Sequence, residues 1–202
     1  MYRVALSVAH GKNMSGKFDP GCGSFQGVTE HSVSQAITLT LRQMMEYSPE
    51  MFPVLLPFPR NLEEKVAMVN QGGEAGPFDL AIEIHINAHK NPAANGTEVW
   101  YLGAEDEAAV FQKHLTHHLG TRDRGIKKHR FYFLRNTKPK ALIVEPDFIQ
   151  NTWKMCANGI YHAEVALACY RALMEITGSG VYNYGNEAPQ AVTAGPVSLT
   201  LD

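Results

Sequence analysis

Residues Asp79–His89 read DLAIEIHINAH. Leu80, Ala81, Ile82, Ile84 and Ile86 make a nearly continuous apolar run, the mark of a strand covered on both faces in a parallel sheet. Glu83, His85 and Asn87 interrupt the run at every second position, so all three project to one side of it. Polar groups inside a buried strand cost several kcal/mol unless something pairs with them. A lone histidine in such a place is ordinarily a hydrogen-bonded core residue. This one has company, because two other strands also end on a residue capable of chemistry.

Upstream, Arg3–Ala9 (RVALSVA) reads as a first buried strand that stops at His10. A long glycine-rich loop follows to about Gly27, and loops of that length inside compact domains are usually functional. Thr29 suits a helix N-cap and places Glu30 in the first turn; Val33, Ile37, Leu41 and Met44 then recur at helical spacing to about Tyr47. Phe52–Phe58, interrupted by prolines, predicts a short edge strand. Asn61 to about Glu74 predicts a helix closed by Gly72-Gly73.

Downstream, Asn95-Gly96 signals a turn and Thr97–Leu102 a strand. Glu105 to about Leu119 predicts a helix, residues 120–130 a basic loop, and Phe131–Leu134 a short strand. Ala141–Glu145 (ALIVE) is a last buried strand stopped by Pro146, and Asn158–Ile176 a long C-terminal helix. Strands alternating with helices predict an α/β fold: a layered, mostly parallel twisted sheet flanked by helices on both faces, in a single domain. That domain spans residues 1–177. Periodicity then vanishes, and 178–202 reads as a C-terminal tail or linker.

The chain has 202 residues, 45% hydrophobic and 19% charged, which suits one folded domain with a substantial core. Its net charge of -2 gives no reason to expect nucleic acid or an anionic membrane as partner. Cys22, Cys156 and Cys169 are odd in number and widely spread, so no disulfide framework is expected. No signal peptide and no membrane-length apolar run stand out. The expectation is a protein made in the cytoplasm, without membrane insertion, that reaches any outside target after release. A monomer is the simplest state.

Ligands of open α/β sheets bind outside the carboxyl ends of the strands. His10, His85 and Glu145 each fall at such an end, and Glu30 opens the helix after the first strand. Two histidines and a carboxylate form a known zinc set with one position left for water. A further group, not a ligand, is needed beside it to move protons; Glu30, Glu145 and Glu83 are the carboxylates at hand, Glu83 one alternation further from its strand end than Glu145. Among other motifs, Gly11–Lys17 fits the spacing of a phosphate loop, but Phe18 stands where Ser or Thr is required and Asp19-Pro20-Gly21 where a helix should begin. His114 and His118 lie four apart on a helix without the glutamate of an HExxH motif, and read as outward-facing histidines of an amphipathic helix. His31 and His89 read as solvent-facing, and Cys22 as a small packing residue.

At these same residues the chain resembles the zinc-dependent N-acetylmuramoyl-L-alanine amidases of the amidase-3 type, found among cell-wall remodelling enzymes and phage endolysins. The resemblance runs through SVAHGKNMSGKFDPG, TEH, IHINAH, GTEVWY, RGIKK and FLRNTKPKALIVEPDFIQN, in the family's order, over about residues 3–175. It implies zinc on His10, Glu30 and His85, with Glu145 as the catalytic glutamate. It implies peptidoglycan as substrate, cut at the amide between N-acetylmuramic acid and L-alanine. A peptidase cutting within the stem peptide and a non-catalytic wall-binding module are the alternatives. Asn87, Arg124 and Lys127 are candidate contacts for the substrate, although Arg124, Lys127 and Lys128 read more readily as a solvated basic loop. The chain departs from the family's pattern in its longer loop after His10 and in Pro146-Asp147 after the glutamate.

Overall fold

The computed structural model describes residues 1–22, 24–25, 27–157 and 159–180. Its elements are β1 (Tyr2–Val8), β2 (Ser24–Phe25), β3 (Val28–Thr29), α1 (Glu30–Glu46), β4 (Met51–Leu55), α2 (Leu62–Gln71) and β5 (Leu80–Ile84). They continue with β6 (Thr97–Tyr101), α3 (Glu105–Leu119), β7 (Asp123–Lys128), α4 (Tyr132–Asn136), β8 (Lys140–Glu145), α5 (Ile149–Ala157) and α6 (Ile160–Ile176). Six strands form one sheet in the order β4-β1-β5-β8-β6-β7. The first four are parallel; β6 runs antiparallel to β8 and parallel to β7. The expected layered, mostly parallel α/β domain is the one observed.

The two faces of the sheet are covered unequally, and this places the chemistry. Val4 and Leu6 of β1, Leu80, Ile82 and Ile84 of β5, and Leu142 and Val144 of β8 pack in one core with residues of α1, α3 and α6. The alternate residues Ala5, Ala81, Ala141 and Ile143 pack in a smaller core with Val66 and Val69 of α2 and Phe133 and Leu134 of α4. Two-residue alternation puts Ser7, Glu83 and Glu145 on this second face. Two short helices do not cover it completely. The long helices seal the other side.

Residues 120–134 differ from expectation. The basic stretch is not a loop: Asp123–Lys128 form edge strand β7, with a register irregularity between Thr97 and Val99 on its partner. Arg124 and Lys127 find a buried anion in Glu98, which pulls this charged segment onto the sheet. Phe131–Leu134 is not a strand: Tyr132–Asn136 form α4, because Phe133 and Leu134, adjacent in sequence, are both drawn into the smaller core. Helix α5 was not foreseen. Ile149, Thr152 and Cys156, spaced about a turn apart, are buried on it. Residue 158, where the last helix was expected to start, and the tail from residue 181 onward lie outside the described residues. Among those described, no helix is long and apolar enough to cross a membrane.

His114 is a further correction. It is fully buried between α3 and α6, its Nε2 2.8 Å from a Glu175 carboxylate oxygen, while His118 Nε2 lies 2.6 Å from Glu164. Each histidine has its own carboxylate on the facing helix. They fasten two helices and do not converge on an ion.

Candidate metal centre and catalytic cleft

Local structure aims each donor at the carboxyl edge of the sheet. β1 ends at Val8, and His10 adopts φ 57°, a left-handed backbone rare outside glycine and often found where function demands it. That turn swings its ring back over the strand ends. Thr29 and Ser32 form a capping box that starts α1 at Glu30, whose carboxylate sits by the positive helix end and is 3% exposed. His85 follows directly on β5. Ser34 ties these segments together, donating its hydroxyl to Ile84 O at 2.5 Å and accepting the Ala9 amide at 2.8 Å.

The structure brings His10, Glu30 and His85 together: their candidate donor atoms all lie within 4.8 Å of one another. Glu30 bridges the rings, Oε2 at 3.0 Å from His10 Nε2 and Oε1 at 2.9 Å from His85 Nδ1. The remaining nitrogen of each ring meets another carboxylate. His10 Nδ1 is 3.0 Å from Asp19, and His85 Nε2 is 3.1 Å from Glu83. Inner donors facing one point, with outer carboxylates holding the far side of each imidazole, is the arrangement in which proteins bind zinc. The donor set therefore fits a divalent ion. Cys22 donates its amide to Glu30 Oε2 at 2.9 Å, and Gly21 leaves the space: at φ +85°, a Cβ there would fall 2.5 Å from that oxygen.

The electrostatics agree. Burial alone would lower both histidines, but the carboxylates outweigh it and raise His10, and raise His85 well above the usual imidazole range. Burial would raise Glu30, and the two rings overcome it and hold Glu30 well below the carboxylate range. Carboxylates thus face both imidazoles from two sides, an environment that favours positive charge at the cluster.

Glu145 ends β8 beside this cluster, in a cavity of about 330 Å³ shared with His10, His85, Glu83 and the aromatic side chains of Phe131 and Tyr132. Its Oε2 is buried without a hydrogen-bond partner. Burial pushes its carboxyl up to about 8. Glu83 lines the cavity as well but is fully engaged: Oε1 accepts from Lys65 at 2.8 Å and Ser7 at 3.0 Å, and Oε2 meets His85. Burial would raise Glu83, yet Lys65 and His85 bring it down to about 2. Lys65 and Glu83 are each under 5% exposed. Removing one partner of such a pair leaves an uncompensated buried charge, so Lys65→Met is expected to destabilise the fold by about 3–5 kcal/mol, read from the urea midpoint.

The three residues expected at the substrate, Asn87, Arg124 and Lys127, meet at Glu98. Asn87 Nδ2 donates to its Oε1 at 3.0 Å, while Arg124, at 2.6 Å, and Lys127 both hold its Oε2. Glu98 stands opposite Glu145 in the β6–β8 register, on the same face of the sheet. Of the remaining histidines, His89 is exposed as expected, but His31 is buried, its Nδ1 2.8 Å from Ala9 O. Gly11 accommodates that ring: at φ +90°, a Cβ would lie 2.6 Å from His31 Cε1. Asp19, Lys65 and Glu98 went unassigned in the sequence; only Asp19, in the Asp-Pro-Gly loop, carried a visible signal.

A two-histidine, one-carboxylate cluster and a buried glutamate thus stand together at the rim of a layered α/β domain, a donor set able to hold a divalent ion beside a carboxyl group. The chain belongs to the N-acetylmuramoyl-L-alanine amidase family, Amidase_3, whose profile matches residues 4–175. Over 97 residues it is 35% identical to N-acetylmuramoyl-L-alanine amidase LytC of Bacillus subtilis (strain 168), covering 45% of this chain and 19% of that much longer protein. It is 29% identical over 160 residues to YqiI of the same organism, covering 74% of this chain and 71% of that one. The N-acetylmuramoyl-L-alanine amidase of Clostridium difficile 630 shares the fold with a TM-score of 0.78 at 23% identity, over 88% of this chain and 97% of its own.

Proposed function

We propose that the protein is a zinc-dependent N-acetylmuramoyl-L-alanine amidase that hydrolyses the amide between the lactyl group of N-acetylmuramic acid and L-alanine in peptidoglycan. The observation that carries this is the convergence of His10, Glu30 and His85 beside an unpartnered buried carboxylate, in a chain of that family. His10 through Nε2, His85 through Nδ1 and Glu30 through its carboxylate would hold the ion. When bound, zinc supplies Lewis acidity that activates water and polarises the amide carbonyl at neutral pH. Glu145 accepts a proton from the attacking water and returns it to the departing nitrogen of L-alanine. The carbonyl carbon gains the water oxygen, the C–N bond breaks, and a lactyl carboxylate and a free amine are left.

Arg124 and Lys127 carry two positive charges against the one negative charge of Glu98, so the patch beside Glu145 keeps a net positive charge for carboxylates of the stem peptide. The wall lies outside the cytoplasm, so action after release is part of the same proposal, as is an endolysin's role. The decisive experiment is mass spectrometry of purified peptidoglycan digested with and without a chelator. Glycan strands freed of intact stem peptides, lost on chelation, are the expected result. Shortened peptides would mean a peptidase, and unchanged peptidoglycan a binding module.

A further inference from the structure

The carboxylate of Glu83 lies behind His85, on the far side from the donor cluster. We infer that Glu83, with Lys65 beside it, is a positioning residue that orients His85 for metal binding; this rests on His85 being a ligand, as proposed above. Glu83 Oε2 lies 3.1 Å from His85 Nε2. A carboxylate there accepts the Nε2 proton, which leaves the Nδ1 lone pair turned toward Glu30 and His10. The other oxygen is fixed from two separate elements. Ser7, opposite Glu83 in the β1–β5 register, donates from the neighbouring strand, and Lys65 donates from α2.

Lys65 makes this support possible. A bare carboxylate buried in the central strands would be strongly disfavoured or would protonate and lose its hold on the imidazole. With the ammonium at 2.8 Å and the Ser7 hydroxyl at 3.0 Å, the buried carboxylate is paired and its oxygens stay directed. The two rings are therefore supported differently. His10 leans on Asp19, whose side chain is 35% exposed on the long loop, whereas His85 leans on a carboxylate locked into the sheet. Glu83, the rival proton carrier in the sequence, has no oxygen left for that work.

The test compares zinc affinity, by competition with a chromophoric chelator, with the melting temperature of the metal-stripped protein. Wild type, the double variant Glu83→Gln/Lys65→Met and the single variant Glu83→Asp are measured. The double variant removes the charge pair together, so no lone charge stays buried; the single variant keeps the pair but withdraws the carboxylate from His85 by one methylene. Both are expected to bind zinc about 10- to 100-fold more weakly with little change in metal-free melting. Wild-type zinc affinity in either folded variant overturns the inference, as does a loss of affinity that merely follows a loss of metal-free stability. If the double variant does not fold, Glu83→Asp decides alone. A wild type that binds no zinc overturns the ligand reading itself, a result distinct from the others.

Discussion

Replacing Glu145 by glutamine is expected to lower turnover of peptidoglycan by about 10²- to 10⁴-fold while zinc content stays at the wild-type level. Glutamine keeps the shape and one oxygen but cannot carry a proton between water and leaving amine. The carboxylate stands apart from the three-donor cluster, so losing its charge leaves the donors intact. Its buried Oε2 has no partner to restrain it, and burial holds its carboxyl near 8, close to the pH at which a group that both takes and gives a proton works best. Single-turnover rates and metal analysis on the same preparation measure both halves. A variant that turns over near the wild-type rate would remove Glu145 from the mechanism.

Replacing His85 by alanine should abolish metal and activity together. The loss exceeds the about 10- to 100-fold that follows when only an outer contact is cut, because an inner donor goes and the Glu30 and Glu83 carboxylates are left facing each other across the gap. Metal content after dialysis, by mass spectrometry, reads it directly. Equimolar zinc retained by His85→Ala would show that the ion is held elsewhere. The contrast between these variants separates the role of holding the ion from that of moving the proton.

Much of this was written in local patterns. The apolar run through Leu80–Ile86 specifies a strand buried on both faces, and the strand–helix alternation specifies the layers. His10, His85 and Glu145 could be named because each directly follows or ends such a run, and Glu30 because Thr29 caps a helix. Each of those signals depends on neighbours a few residues away, which is the range over which hydrophobic period and capping act.

The residues the sequence misplaced are those whose partners are far along the chain. A basic stretch became β7 because Glu98 waits on the adjoining strand, and Phe133 and Leu134 became helical because the thinner layer needed both. His31 and His114 are buried because a backbone carbonyl and a glutamate on another helix satisfy them. Lys65 lies 18 residues from Glu83, and no period or motif pairs a helix lysine with a strand glutamate. The sequence by itself determined the strands, the capped helix and the chemistry available at the sheet's edge. Only the tertiary structure decided which face stays open, which carboxylate backs each imidazole, and that Glu83 is bound up while Glu145 is free, because desolvation and charge pairing act through space and depend on which elements the fold packs together.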